Sequence, residues 1–224
     1  MKICVFAPHP DDELVGAGGS ILKWLEKGHD IHLIYVSDGR AAYTYERKMG
    51  RLMETEETQI SEDDLAGIRM REIDEVINFL GIPEENVHKL KLRDQDVKNQ
   101  IPLGVEKSKD IIQGAERVLL PSRNSVHEDH EATYEIATKA AREVNLNGAE
   151  FYVYALYVDN KAPKDKRVKI DVKNFRKKAH QALLLYKSQR FIQTVSQSYD
   201  WVKERKREKF GVFRLEDLRK FYNF

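Results

Sequence analysis

Two short stretches of this 224-residue chain gather side chains able to do chemistry: PHPDDE at residues 8–13 and HEDH at 127–130. His9 and Asp12 stand three apart, so across a turn into a helix both can converge on one point while Asp11 projects elsewhere. His127 and His130 repeat that spacing, with Asp129 between them. His9, Asp12 and one of His127 or His130 would form the three-ligand set, with an open position, of a hydrolytic metal centre. Two nitrogens and one oxygen suit one Zn²⁺ per chain, and softness also admits Fe²⁺, Co²⁺ or Mn²⁺. Such an ion can lower the pKa of bound water from about 15.7 to about 7, and a spare carboxylate beside it can take the proton. The competing reading is local: Asp11 or Asp12 as the cap of one helix, Asp129 as the cap of another, and Glu13 as a partner of the helix dipole. It explains the acids but neither His9 nor the paired histidines.

These clusters need a scaffold that brings them together. KICVFA at residues 2–7 reads as a buried strand, ELVGAGGSILKWLEKG at 13–28 as a helix, and IHLIYVS at 31–37 as a second strand, a βαβ opening that implies a parallel sheet. Gly16, Gly18 and Gly19 are misspaced for a dinucleotide fingerprint, which argues against a nucleotide-binding oxidoreductase, and instead predict close approach of the helix to another surface. Helical spacing over EDDLAGIRMREIDEVINFLG (62–81), a strand at VHKLKL (87–92), a helix at VEKSKDIIQGA (105–115) and a strand at RVLLPS (117–122) continue the alternation, followed by a helix from 129 to 144 and a strand at 150–158. The expected fold is therefore α/β and Rossmann-like, a mostly parallel sheet with helices on both faces, in a single domain over 1–224. Residues 190–224 are expected to form a divergent, helical C-terminal extension. Both chemical clusters fall at carboxyl ends of strands, where open α/β sheets bind ligands. Residues 40–62 leave the second strand at that same end as a long irregular segment carrying Tyr43, Tyr45, Arg47 and Lys48, which predicts a lid; a solvated excursion or an oligomer contact is the alternative.

Composition narrows the classes. Lys plus Arg number 38 against 37 for Asp plus Glu, so no global field gathers nucleic acid or anionic membrane. No apolar run is long enough to span a bilayer, and the N-terminus lacks the apolar core of a signal peptide. Cys4 is the single cysteine, so no internal disulfide can form, which fits a cytoplasmic protein. The oligomeric state is left open.

PHPDDE followed in order by HEDH resembles the LmbE-like/PIG-L family of zinc-dependent N-acetylglucosaminyl deacetylases. GHDIHLIYVSDG resembles the family's second strand, IRMREIDEVINFLGI its R-x-x-E helix, and KKAHQALLLYKSQ its late S-Q helix, so the likeness spans most of residues 3–189. It implies hydrolysis of the N-acetyl group of an N-acetylglucosamine-type amino sugar or conjugate. It places the metal ligands on His9, Asp12 and His130, the general base on Asp11, and the acid or oxyanion-stabilising histidine on His127. Asp129 would orient His127 or tune its pKa, and Arg69 would contact the sugar, unless Arg69 is a helix-surface partner of Glu72. Pro8 and Glu128 replace the family's usual alanine and proline, and Tyr186 stands where a histidine is usual. A metal- or glycan-binding module without turnover, or a hydrolase of another amide, is the alternative function.

Overall fold

The structure, a computed structural model, describes residues 1–125 and 127–219. In chain order the elements are β1 (Lys2–Ala7), α1 (Asp12–Glu26), β2 (Asp30–Ser37), α2 (Ala42–Lys48), α3 (Glu62–Leu80), β3 (Val87–Leu92), α4 (Ile101–Ile112), β4 (Arg117–Pro121), α5 (Glu128–Glu143), β5 (Glu150–Tyr154), β6 (Arg167–Asp171), α6 (Arg176–Leu183), α7 (Gln193–Glu204) and β7 (Arg207–Phe213). They form one seven-stranded sheet in the order β3-β2-β1-β4-β5-β7-β6. The first five pair in parallel, and β7 pairs antiparallel with both β5 and β6.

The central strands are apolar along their whole length because both of their faces are covered. Ile3, Val5 and Ala7 of β1 enter a core shared with α1, α3, α6 and α7. Cys4 and Phe6 point the other way, into a core shared with α4 and α5. Full burial of side chains such as Ile3 and Phe6 contributes about 1.5–3 kcal/mol each. Close packing also explains Gly16 of α1, where a Cβ would lie 2.5 Å from the Tyr154 ring.

The order of strands reverses beside β1: the chain runs outward through β2 and β3 on one side, then returns to β4 and β5 on the other. Strands β1 and β4 pair directly, with Val5 opposite Leu119, so the loops after them flank the crevice at this switch point.

Two expectations need correction. The tail was expected to be helical, yet besides α7 it contains β7, which inserts between β5 and β6. Phe210 and Phe213 of β7 are fully buried in the two cores on opposite faces, so sheet pairing there overrides the high local charge. Residues 220–224 of that expected extension lie outside the described residues. The 40–62 segment is not irregular: it contains α2 and a 3₁₀ turn at Glu56–Thr58. It is pinned to the tail by a bridge between Leu52 and Ile192 and by packing of Tyr43 against Phe191, contacts remote in sequence and invisible to local periodicity.

Candidate active site

The turn after β1 carries unusual backbone. Asp11 sits at the N-cap of α1 with φ 114°, and its side chain makes no capping bond. A non-glycine residue in that region is strained by about 1–3 kcal/mol and persists only where its surroundings enforce it. The enforcing contacts are visible. Glu13 Oε2 accepts the Asp11 N–H at 3.1 Å, and Arg69 Nη2 donates to the Pro10 carbonyl at 2.6 Å. The capping alternative for Asp11 is therefore overturned: its carboxyl is free for another use. Tyr199 Oη donates to its Oδ2 at 2.9 Å, and Arg69 Nη2 lies 3.7 Å from its Oδ1.

Asp12 opens α1, and its Oδ2 accepts from the His9 backbone N–H at 3.0 Å while lying 3.0 Å from His9 Nδ1. From the first turn of α5, His130 Nε2 comes within 3.5 Å of the same oxygen. Asp12 Oδ2 thus lies between His9 and His130, nitrogen and oxygen donors of the types zinc takes, and beside them ligand atoms of His9, Asp94, His127 and Asp129 lie within 4.8 Å of one another. His127 joins them: one ring nitrogen from each of His9, His127 and His130 lies within 4.8 Å of the others. The His127 and His130 rings stack with centroids 5.1 Å apart.

His127 N-caps α5, its Nδ1 accepting the Asp129 N–H at 3.2 Å, so the neutral ring carries its proton on Nε2. That atom lies 2.8 Å from the Gln95 amide nitrogen, so with the proton on Nε2 the amide must turn its oxygen toward the ring to accept it. Of the two roles expected for Asp129, its charge does raise the His127 pKa against burial, but it does not orient the ring: its carboxylate accepts the backbone N–H groups of Gln95 at 2.7 Å and Val97 at 3.3 Å. Its backbone, not its side chain, touches His127. Arg69 is no surface partner of Glu72. It is 2% exposed, donates to the Gly39 carbonyl at 3.2 Å, and passes so near Gly39 that a Cβ there would sit 2.5 Å from its Nη1. Glu72 instead accepts from the Ser188 N–H at 2.6 Å and its hydroxyl at 2.7 Å. The R-x-x-E pair thus ties the β1 turn to the S-Q turn.

Two neighbours of the site escaped the sequence reading. Asp94, after β3, is buried and places Oδ1 3.2 Å from His9 Nε2 while its Oδ2 accepts the Ala41 N–H at 3.0 Å. Tyr199 comes from α7, 188 residues along the chain from Asp11. Asp94 sits in LRDQDV, whose only signal was an acid just past a strand's carboxyl end; Tyr199 carried no signal at all.

Four carboxyls, Asp11, Asp12, Asp94 and Asp129, gather beside the Arg69 guanidinium. Burial alone would lower the His9 imidazole, but Asp94, Asp12 and Asp129 outweigh it and hold its pKa well above the usual value. Burial and the Asp12 charge push the Asp11 carboxyl up to about 7, against the pull of Arg69 and Tyr199. Burial lowers His130 to about 3, keeping it neutral as a metal ligand must be, and burial with His9 also lowers His127. Such a cluster favours an added cation.

The cluster forms the floor of a cavity of about 390 Å³, walled by Tyr45, Glu46 and Arg51 from the 40–62 segment, by Tyr157, and by Gln189, Ile192 and Val195. Among the described residues, three of the five non-glycine residues with positive φ, Asp11, Gln95 and Tyr157, line it.

Comparison with known proteins agrees with this geometry. A probable N-acetyl-α-D-glucosaminyl L-malate deacetylase 2 of Bacillus anthracis is 24% identical over 97% of both chains. The N,N′-diacetylchitobiose deacetylase of Pyrococcus horikoshii superposes with a TM-score of 0.73 at 20% identity, over 97% of this chain and 85% of that one. A 4-carboxy-2-hydroxymuconate hydratase from Pseudomonas putida superposes with a TM-score of 0.67 at 16% identity, over 94% of each chain, so the fold alone does not fix the reaction. The family profile is more specific. It is that of the GlcNAc-PI de-N-acetylases, PIG-L, and it matches residues 4–141, more than half the chain and both histidine-bearing stretches. With its two motifs folded into one buried, strand-end cluster, the chain belongs to the PIG-L family of deacetylases.

Proposed function

We propose that this deacetylase hydrolyses the N-acetyl amide of an N-acetylglucosamine-type sugar or conjugate, with one Zn²⁺ held by His9, Asp12 and His130. The observation that carries this is the convergence of both strand-end stretches on one cavity with Asp11 freed from capping. When bound, the ion would supply a Lewis acid and lower the pKa of water in its open position. Asp11 accepts a proton from the attacking water, its buried carboxyl poised near neutral pH. His127 presents Nε2–H to the amide oxygen as charge develops there. Arg69 holds the strained turn that aims Asp11, and its place in the cavity supports a second role against the sugar. The amine leaves with a proton returned from Asp11 or His127, and acetate is the second product.

Asp94 Oδ1 lies 3.2 Å from His9 Nε2 as a charge partner without a hydrogen bond, while Nδ1 faces Asp12. The buried, unpaired Cys4 supports residence in the reducing cytoplasm. No helix among the described residues is long and apolar enough to cross a membrane. The test is release of acetate from a panel of N-acetylated sugars by metal-loaded protein, with elemental analysis of the ion. Metal bound without acetate from any substrate would favour a binding module.

A further inference from the structure

We propose that Tyr199, on α7 and beyond the segment the family profile matches, is a positioning residue that pins one oxygen of Asp11 and leaves the other for the reacting water. The proposal rests on the reading of Asp11 as the base.

The backbone of Asp11 is fixed on every side. Its N–H is bound by Glu13, its carbonyl accepts from the Leu14 and Val15 N–H groups at 3.0 Å each, and its φ of 114° permits little adjustment. Its side chain is fixed on one side only. The hydroxyl of Tyr199 reaches Oδ2 at 2.9 Å, whereas Arg69 is 3.7 Å from Oδ1, an ion pair but long for a hydrogen bond. A charged carboxyl without the phenol would turn toward that guanidinium, closing the Arg69 gap and drawing Oδ1 away from the cavity. Directional holding of a base is worth far more than its mere presence, because proton transfer needs a contact of about 2.6–3.2 Å.

The phenol is itself immobile. Tyr199 is 5% exposed and packs in the core that α1, α3 and α6 share. The end of α7 is docked separately, by Arg205 Nη1 donating to the Val15 carbonyl at 2.6 Å. Removing the hydroxyl therefore leaves the helix seated.

The experiment compares wild type and Tyr199→Phe, both zinc-loaded, on the substrate giving the fastest acetate release. Loss of one hydrogen bond to a charged group predicts a kcat reduced about 10- to 100-fold with KM within about twofold of wild type. Metal content and Tm should be unchanged, which a merely structural tyrosine would not leave so while kcat falls. A kcat within twofold of wild type, or a loss confined to KM, overturns the proposal. If wild type releases no acetate from any sugar, the functional reading fails, and crystal structures of the two proteins decide the Tyr199 question alone. A rotated Asp11 carboxylate in Tyr199→Phe supports positioning, and an unmoved one overturns it.

Discussion

Asp11 and Asp12 are neighbours with the same side chain and opposite electrostatics. The neighbouring His130 and His9 outweigh burial and lower the Asp12 pKa, whereas burial and the Asp12 charge push Asp11 up to about 7 against Arg69, Tyr199 and His9. One residue is suited to hold a cation and the other to exchange a proton. Asp11→Asn should accordingly retain the metal and lose about 10² to 10⁴ in kcat; simultaneous loss of metal and activity would make Asp11 a ligand. Asp94 acts through His9. Asp94→Asn should weaken zinc affinity about 10- to 100-fold in a chelator competition, a readout independent of turnover, and unchanged affinity would remove Asp94 from the metal centre.

At the scale of elements, the 40–62 segment does two separable things. Tyr43 packs on Phe191 and donates to the Ser188 carbonyl at 2.8 Å, anchoring the segment. Tyr45, two residues on and so on nearly the opposite face of α2, lines the cavity beside His127, with Arg51 over its ring at 5.7 Å. Tyr43→Ala should destabilise the protein by about 3 kcal/mol through the lost aromatic packing, measured by denaturant unfolding. Tyr45→Ala should leave stability within about 0.5 kcal/mol while lowering kcat/KM unequally across N-acetylated sugars. Equal effects on every sugar would show that the wall does not select substrate.

Over the whole molecule, buried charge makes the fold sensitive to pH. In the metal-free protein, Asp11 and Glu13 hold protons up to about 7 and about 8, against ordinary values of 3.8 and 4.5. Burial dominates both shifts. A carboxyl raised in this way contributes stability that is complete below its unfolded value and lost as pH rises through its folded value. His9, also raised, acts in the same direction. His130 and His88, lowered to about 3 and about 4, weaken the fold only as pH falls below the ordinary 6.5. Between pH 6.5 and 8.5 the Tm of EDTA-treated protein should therefore fall, and zinc should flatten the slope by offsetting the carboxylate charge. Glu13→Gln should reduce the slope in the metal-free protein. A metal-free Tm constant over that window would contradict the buried-carboxyl account.

How much was legible depended on the range of the contacts. The apolar run of β1, the helical spacing of α3 and the two histidine-bearing stretches are local patterns, so the parallel α/β order and the residues His9, Asp11, Asp12, His127 and His130 could be read along the chain. The amino-acid sequence by itself also placed both stretches at strand ends, since PHPDDE follows one apolar run directly and HEDH follows another after a short polar link. Only the tertiary structure could show that Asp11 caps nothing, that Asp129 turns to the turn at 95–97 rather than to His127, and that Arg69 is buried over Gly39. It alone brought Asp94 and Tyr199 to the site and put β7 into the sheet. The physical reason is shared: these are contacts between residues tens to nearly two hundred positions apart, decided by which surfaces must be buried together, and no period of 2 or 3.6 residues records them.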